Sequence, residues 1–370
     1  MKVLIFSVSI GAGHDLAAKA IAHELKDRLE AQVDIIDTFQ YINPTLNRVV
    51  RGSYMETLKF SPKVWGYLYA QAETSEPFVD LSTILSKLFS PKLENLVREK
   101  QPDLVICTHA FPCGMLSMLK EKRQMKFPLI AVLTDFTVHP FWIYNNVDRY
   151  VLPAEELRYY LYPYGVHHEQ VWPCGLPIRP EFSSPGSTSE AKQRLGLTEQ
   201  PTILIMGGGL GLGAINKLTE LVANTDLPLQ VLTVAGRNQK LYEQLQKLRT
   251  NNPLHIYGFV EDMPTLIQAS DVVISKPGGL TTAEVLACGK PMLIVTPIPG
   301  QEERNTDFLL NNGLALKARD MYEVIPLLKQ LLSSPRRLQR IKEVAQEMGN
   351  PLAAQHLVQR IVDEYWTNNE

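Results

Sequence analysis

The stretch Asp271-Val272-Val273-Ile274-Ser275-Lys276-Pro277-Gly278-Gly279-Leu280-Thr281-Thr282-Ala283-Glu284 decides the fold. Asp271 to Ser275 is a short apolar strand that breaks into a Pro-Gly-Gly turn. The pattern then becomes helical, with Thr281, Thr282 and Glu284 in the first turn. A helix begun this way offers free backbone N–H groups and a positive dipole end to an anion. A second strand, Met292 to Thr296, ends in the loop Pro297-Ile298-Pro299-Gly300-Gln301-Glu302-Glu303-Arg304-Asn305. One loop suits a diphosphate and the other suits sugar hydroxyls, so the pair suggests a nucleotide-sugar site.

Working outward, strand and helix alternate along nearly the whole chain. Strands are expected at 2–9, 33–37, 104–108, 129–133, 149–152 and 170–172, with an amphipathic helix from Asp15 to Glu30 after the first. A linker, Ser183-Ser184-Pro185-Gly186-Ser187-Thr188-Ser189, interrupts the pattern. Strands resume at 202–206, 229–235, 255–257, 271–275 and 292–295. Alternation at this spacing means parallel sheets with right-handed crossovers. The expectation is an α/β protein of two doubly wound domains, 1–183 and 184–350, with a cleft facing the carboxyl ends of both sheets. Residues 351–370 read as a helix crossing back to the first domain.

Composition agrees. A chain of 370 residues exceeds one ordinary core. Its 45% apolar and 21% charged residues are those of a globular protein. A net charge of −2 with no basic half argues against nucleic acid as a partner. Cys107, Cys113, Cys174 and Cys288 show no paired metal spacing, which fits a reducing cytosol and structural thiols. The opening Met1-Lys2-Val3-Leu4-Ile5-Phe6-Ser7-Val8 lacks an adequate signal h-region and leads into Gly-x-Gly-His, so it reads as a buried strand. No apolar run approaches the roughly 20 residues of a membrane span.

Ser9-Ile10-Gly11-Ala12-Gly13-His14 lies between the first strand and the first helix. Its glycines let backbone approach a ligand. A dinucleotide fingerprint fails because Leu16 stands at the third glycine. His14, with a pKa near neutrality, either takes the proton of an attacking alcohol or merely caps the helix. Gly207, Gly208, Gly209, Gly211 and Gly213 follow the first strand of the second domain, where backbone passes close to phosphate or to the facing domain. No Gly-Lys-Ser/Thr follows, so this is no Walker A loop. Thr134-Asp135-Phe136-Thr137-Val138-His139-Pro140-Phe141-Trp142 ends a buried strand. Asp135 and His139 either orient His14 and contact an acceptor, or cap a loop over core aromatics. They lack a third metal ligand, and no metal is expected. Residues 44–70 carry four basic side chains (Arg48, Arg51, Lys59, Lys63) and one acid (Glu56), alongside Trp65, Tyr67 and Tyr69. Such a basic aromatic insertion suits contact with a membrane surface, with ordinary helix packing as the alternative.

These segments together resemble the monogalactosyldiacylglycerol synthase and processive diacylglycerol glucosyltransferase group of glycosyltransferase family 28. The resemblance rests on Ser9-x-Gly11-x-Gly13-His14, on Thr134-Asp135-Phe136 with His139 and Trp142, and on Gly175-x-Pro177-Ile178-x-Pro180-x-Phe182. Ser275-Lys276-Pro277-Gly278-Gly279 with Thr281 and Glu284, and Pro299-Gly300-Gln301-Glu302 with Asn305, are its most specific parts. It covers roughly residues 2–350. It implies the GT-B fold and inverting transfer from a UDP-hexose to a lipid hydroxyl, diacylglycerol first, at the cytoplasmic membrane face. Glu284 would bind ribose, and the turn Gly278-Gly279-Leu280-Thr281 the diphosphate. Gln301 and Glu302 would hold the sugar, with Asn305 supporting their loop. Gly11, Gly13 and His14 would face the acceptor. Arg237, Phe259, Val260 and Met263 would frame the uracil. The first loop departs from the plant enzymes, lacking their additional glycine and following Arg.

The residues themselves agree with that chemistry. No Asp-x-Asp occurs, so the departing UDP would be stabilised by fixed dipoles and by Lys276 or Arg237, with no cofactor. Each such donor is worth about 3 kcal/mol of barrier. Two other functions fit the same sequence: transfer to another lipid-linked or small soluble acceptor, and a catalytically silent UDP-sugar sensor. Glucose, galactose and N-acetylglucosamine donors are not distinguished.

Overall fold

The computed structural model describes residues 1–9, 13–44, 91–184, 186–208, 211 and 214–366. The expected membrane residues Arg48, Arg51, Trp65, Tyr67 and Tyr69, and the loop glycines Gly11 and Gly209, lie outside that set. The chain divides into two compact units. The first comprises Met1–Pro180, Ile298–Gln301 and Leu352–Glu370, and the second Glu181–Pro297 and Glu302–Pro351.

Among the described residues the first unit holds β1 (Lys2–Ser7), β2 (Gln32–Asp37), β3 (Leu104–Cys107), β4 (Leu129–Val132), β5 (Arg149–Val151) and β6 (Val171–Trp172). All pair in parallel, in the order β2-β1-β3-β4-β5-β6. Its labelled helices are α1 (Gly13–Leu29), α2 (Thr38–Ile42) and α3 (Ala110–Arg123). β3 and β4 are buried at every position, as a parallel sheet covered on both faces requires.

The second unit repeats the plan with β7 (Thr202–Met206), β8 (Gln230–Val234), β9 (Leu254–Tyr257), β10 (Val272–Ser275), β11 (Met292–Ile294) and β12 (Ala315–Lys317). Their order is β12-β11-β10-β7-β8-β9, again all parallel. Its helices are α4 (Thr188–Arg194), α5 (Ile215–Ala223), α6 (Gln239–Leu245), α7 (Met263–Ala269), α8 (Gly279–Ala287), α9 (Gln301–Asn311), α10 (Val324–Leu332) and α11 (Pro335–Met348). The last helix, α12 (Ala353–Tyr365), belongs to the first unit. There Leu357, Val358 and Ile361 join Ile21 and Leu25 of α1 in one core. Each such buried aliphatic side chain contributes roughly 1.5–3 kcal/mol. Arg28 donates to Gln359, and Arg149 pairs with Glu364.

In each sheet the strand order reverses at one place, between β1 and β3 and between β7 and β10. A parallel sheet opens its loops there, so ligands bind beyond the carboxyl ends of those strands. The residues after β1 and β3, and after β7 and β10, are therefore where a site belongs.

Candidate functional site

In the first unit, β1 delivers the chain to Ser7 and Ser9, and α1 starts at Gly13. Asp15, in the first turn of α1, accepts hydrogen bonds from Ser7 Oγ at 2.6 Å and Ser9 Oγ at 2.8 Å. This ties the end of β1 to the helix that carries His14. Nδ1 of His14 lies 2.8 Å from the carbonyl oxygen of Thr108, just beyond β3. A carbonyl has no proton to give, so Nδ1–H donates and Nε2 keeps its lone pair. The Thr134 hydroxyl oxygen is 2.9 Å from the same nitrogen. Three strand ends, β1, β3 and β4, thus converge on one imidazole.

Burial pushes the His14 pKa below 6.5. The charge of Asp135, the bond to Thr108 and the charge of Asp15 oppose that shift. A lowered pKa leaves the ring neutral at physiological pH, the state a general base needs. Asp135 acts on His14 through its charge, and its carboxylate also accepts a hydrogen bond from the Gln301 amide.

His139 and Trp142 are buried, at 5% and 7% exposure. His139 Nδ1 accepts from Phe141 N–H at 3.2 Å and caps the one-turn helix Pro140–Trp142. Both side chains build the loop behind Asp135, in keeping with the second of the two readings the sequence left open, a capped loop over core aromatics. The sequence reading passed over His109. Its Nδ1 caps α3 by accepting from Phe111 N–H at 3.1 Å, and its ring stands 4.7 Å from His14. Its one signal in the sequence is a His directly after a buried strand, the same setting that singles out Asp135.

In the second unit, Ser275 Oγ donates to the Met206 carbonyl at 3.0 Å, joining the ends of β10 and β7. The turn then enters α8 with Gly278 at its N-cap and no side-chain cap bond, so Gly279, Leu280 and Thr281 begin a helix whose first N–H groups are open to an anion. Asn305 is fully buried and donates to the Pro277 carbonyl at 2.9 Å, fixing α9 to that turn. Lys276 pairs with Glu302 at 3.5 Å, and a Cβ on Gly278 would sit 3.8 Å from the Glu302 carboxylate. Glu284 is 8% exposed on the same helix. After β7, Gly208 has φ +70° and Gly211 φ +57°. A Cβ on Gly211 would meet the Ala235 carbonyl at 2.3 Å, so only glycine allows that approach.

Arg237, after β8, stacks its guanidinium over Phe259, after β9, at 4.7 Å; Phe259 is 55% exposed. Val260 and Met263 follow as the chain enters α7. The second unit therefore gathers Gly207, Gly208, Ser275, Lys276, Gly278–Thr281, Glu284, Glu302 and Asn305 around the β7/β10 switch, with Arg237 and Phe259 further along the same edge. Gly300 and Gln301 group with the first unit. A cavity of about 260 Å³ also opens in the second unit, lined by Met206, Ile215, Lys276, Thr296, Glu303 and Lys317 among others. Of the expected donor residues it includes Lys276 alone. Among the described residues, no group of three or more His, Cys, Asp or Glu is arranged as a metal site.

Comparison with known proteins gives this arrangement a class. The chain is similar in structure to Acinetobacter baumannii MurG, with a TM-score of 0.64 at 18% identity over 98% of this chain and 99% of the other. It is also similar to Anabaena Alr3699/HepE in complex with UDP-glucose, with a TM-score of 0.56 at 15% identity over 98% and 100%. Two doubly wound parallel units of this kind define the GT-B fold. Residues 14–178 match the family described as monogalactosyldiacylglycerol (MGDG) synthase, and residues 187–348 match glycosyl transferases group 1. A processive diacylglycerol beta-glucosyltransferase of Bacillus pumilus (strain SAFR-032) is 28% identical over 100% of this chain and 97% of its own length. The chain is thus similar over its length to the monogalactosyldiacylglycerol synthase and processive diacylglycerol glucosyltransferase group, and is a hexosyltransferase.

Proposed function

We propose that the protein transfers a hexose from a UDP-hexose to diacylglycerol, with inversion at the anomeric carbon. It does so as a peripheral protein at the cytoplasmic face of the membrane, and it holds the donor diphosphate without a metal. The observation that carries the proposal is the fixed imidazole of His14: Nδ1–H is committed to Thr108, which leaves the ring's lone pair on Nε2, and the ring lies at the switch point of the first sheet. Inversion requires a base that deprotonates the acceptor hydroxyl as it attacks the face opposite the leaving group. A neutral imidazole with its lone pair on Nε2 does that in one step.

The donor half supplies the rest. Amides of the Gly278–Thr281 turn and the start of α8 oppose the charge growing on UDP, and Lys276 adds a cation beside Glu302. Glu284 suits the ribose hydroxyls, and the Arg237–Phe259 stack suits a flat base. No described helix is long and apolar enough to cross a membrane. Reaching a lipid hydroxyl then falls to surface contact, for which residues 44–70, with net charge +3, have the composition.

The test pairs wild type with His14→Ala on diacylglycerol vesicles. Unchanged UDP-hexose binding with transfer reduced roughly 10²–10⁴-fold supports the reading. Turnover near wild type removes His14 as the base. Activity confined to a soluble alcohol would replace the acceptor, and donor binding without transfer to any acceptor would make the protein a sensor.

A further inference from the structure

Two imidazoles stand together at the first switch point, and their surroundings give them unequal chemistry. The rings of His14 and His109 are 4.7 Å apart at an interplanar angle of 74°, an edge-to-face contact. His109 occupies the N-cap of α3 with extended backbone, φ −142° and ψ 142°. Its Nδ1 accepts the Phe111 N–H at 3.1 Å, so its own proton sits on Nε2. Protonating Nδ1 would set a donor against that N–H and abolish the cap, which costs about 1 kcal/mol on its own. The charge would also sit at the positive end of α3, where a helix disfavours cations. His109 is therefore held neutral by the element that positions it.

His14 is placed the other way. Its Nδ1–H is taken by Thr108, whose carbonyl directly precedes His109 in the chain. The same strand-to-helix junction thus fixes the tautomer of one ring and presents the second ring to it. We propose that His109 is a positioning residue for His14: a neutral ring that walls the base on one side and holds it in the tautomer whose lone pair is on Nε2.

The groups facing His14 can be counted element by element. Asp15 on its own helix and Asp135 beyond β4 favour its charged form, while Thr134 is neutral. Among the described residues, His109 is what α3 presents to it, a ring contact that adds no charge. Burial and the nearness of His14 both hold the His109 pKa well below 6.5. His109 cannot relay a proton, since Nδ1 is engaged and Nε2 already carries hydrogen. A proton taken by His14 must leave from His14.

This inference rests on His14 being the base, and its test does not need the transfer reaction. In full-length protein labelled with ¹⁵N at histidine, nitrogen shifts report tautomer and titration for each ring. Wild-type His109 is expected to stay in the neutral Nε2–H form through the range in which His14 titrates. His109→Asn keeps a cap acceptor and removes the ring. The His14 midpoint should then move up by about half a unit or more as water enters, and the acid limb of kcat/KM should move with it. His109→Phe keeps a ring and loses the cap, so the His14 midpoint should hold while the melting temperature falls. If His109 titrates near pH 6.5 in wild type, or if Asn leaves the His14 titration in place, the assignment is overturned. A wild type that shows the expected titrations but transfers no hexose would instead count against the proposed function.

Discussion

Gln301 and Asp135 are 166 positions apart in sequence, and the amide of the first donates to the carboxylate of the second. The loop expected to read the donor sugar is thereby joined to the loop that sets the charge beside His14. Asp135 raises the His14 pKa against the effect of burial, so a group that changes the company of Asp135 changes the base. Gln301→Ala should shift the acid limb of the rate profile as well as weaken sugar discrimination. A pH series of kcat/KM for two UDP-hexoses measures both; an unmoved limb would confine Gln301 to the sugar.

Thr134→Val removes the hydroxyl 2.9 Å from His14 Nδ1 and leaves the Thr108 bond in place. A neutral hydrogen bond is worth about 1 kcal/mol, or roughly fivefold in rate. Transfer should fall by that order with UDP binding unchanged. Loss of donor binding instead would show that Thr134 supports the fold and not the base.

The base must be neutral to act, so the rate should fall as pH drops through the His14 pKa. Because burial lowers that pKa, the fall should lie below pH 6.5. A profile of kcat/KM from pH 5 to 8 checks this, and an acid limb centred above 6.5 would contradict it.

Lys290 provides a test of stability. It is 2% exposed, its ammonium donates to Thr188 and to the Gln268 carbonyl, and burial brings its pKa down from 10.5 to about 8. The folded form releases this proton at lower pH than the unfolded chain does. Between about pH 8 and 10.5 the unfolded state therefore binds more protons, and stability rises with pH. Below pH 8 the fold bears the whole cost of the buried charge, up to about 3 kcal/mol. Denaturation of wild type against Lys290→Met at pH 7 and pH 10 isolates this contribution: the difference in stability should change in favour of wild type at the higher pH. A difference independent of pH would refute it.

Gly211→Ala places a Cβ 2.3 Å from the Ala235 carbonyl, with φ at +57°. Strain of this kind costs about 1–3 kcal/mol. Since Gly211 belongs to the loop after β7, UDP affinity should drop along with thermal stability. Titration calorimetry and melting measure the two separately.

The fold was legible because its decisive signals are local. Buried parallel strands are continuous apolar runs, and the glycine turns sit where strand becomes helix, so eleven of the twelve described strands were expected. The twelfth, Ala315-Leu316-Lys317, is three residues at a sheet edge with no β-branched residue, too short for any period to show. The first unit's main segment ends at Pro180, shortly before the linker composition that begins at Ser183.

The site was less legible where it depends on contacts across the sheet. His14 and Asp135 announced themselves by residue type and position. The partners of His14, Thr108 and Thr134, come from the neighbouring ends of β3 and β4, and nothing local marks a carbonyl as an acceptor for an imidazole 94 residues away. His139 and Trp142 stand out by composition, yet they serve the loop as cap and packing. A His after a strand caps or catalyses according to what packs beside it, and sequence spacing does not carry that.

The central claim is hexose transfer to diacylglycerol, and identifying the product tests it most directly. The protein would be incubated with each radiolabelled UDP-α-hexose and diacylglycerol vesicles in the presence of EDTA, and the extracted lipid analysed by NMR at its anomeric proton. The account predicts a β-linked hexosyl-diacylglycerol from at least one donor despite the chelator. An α-linked product, transfer that needs a divalent cation, or no labelled lipid from any UDP-hexose would contradict it.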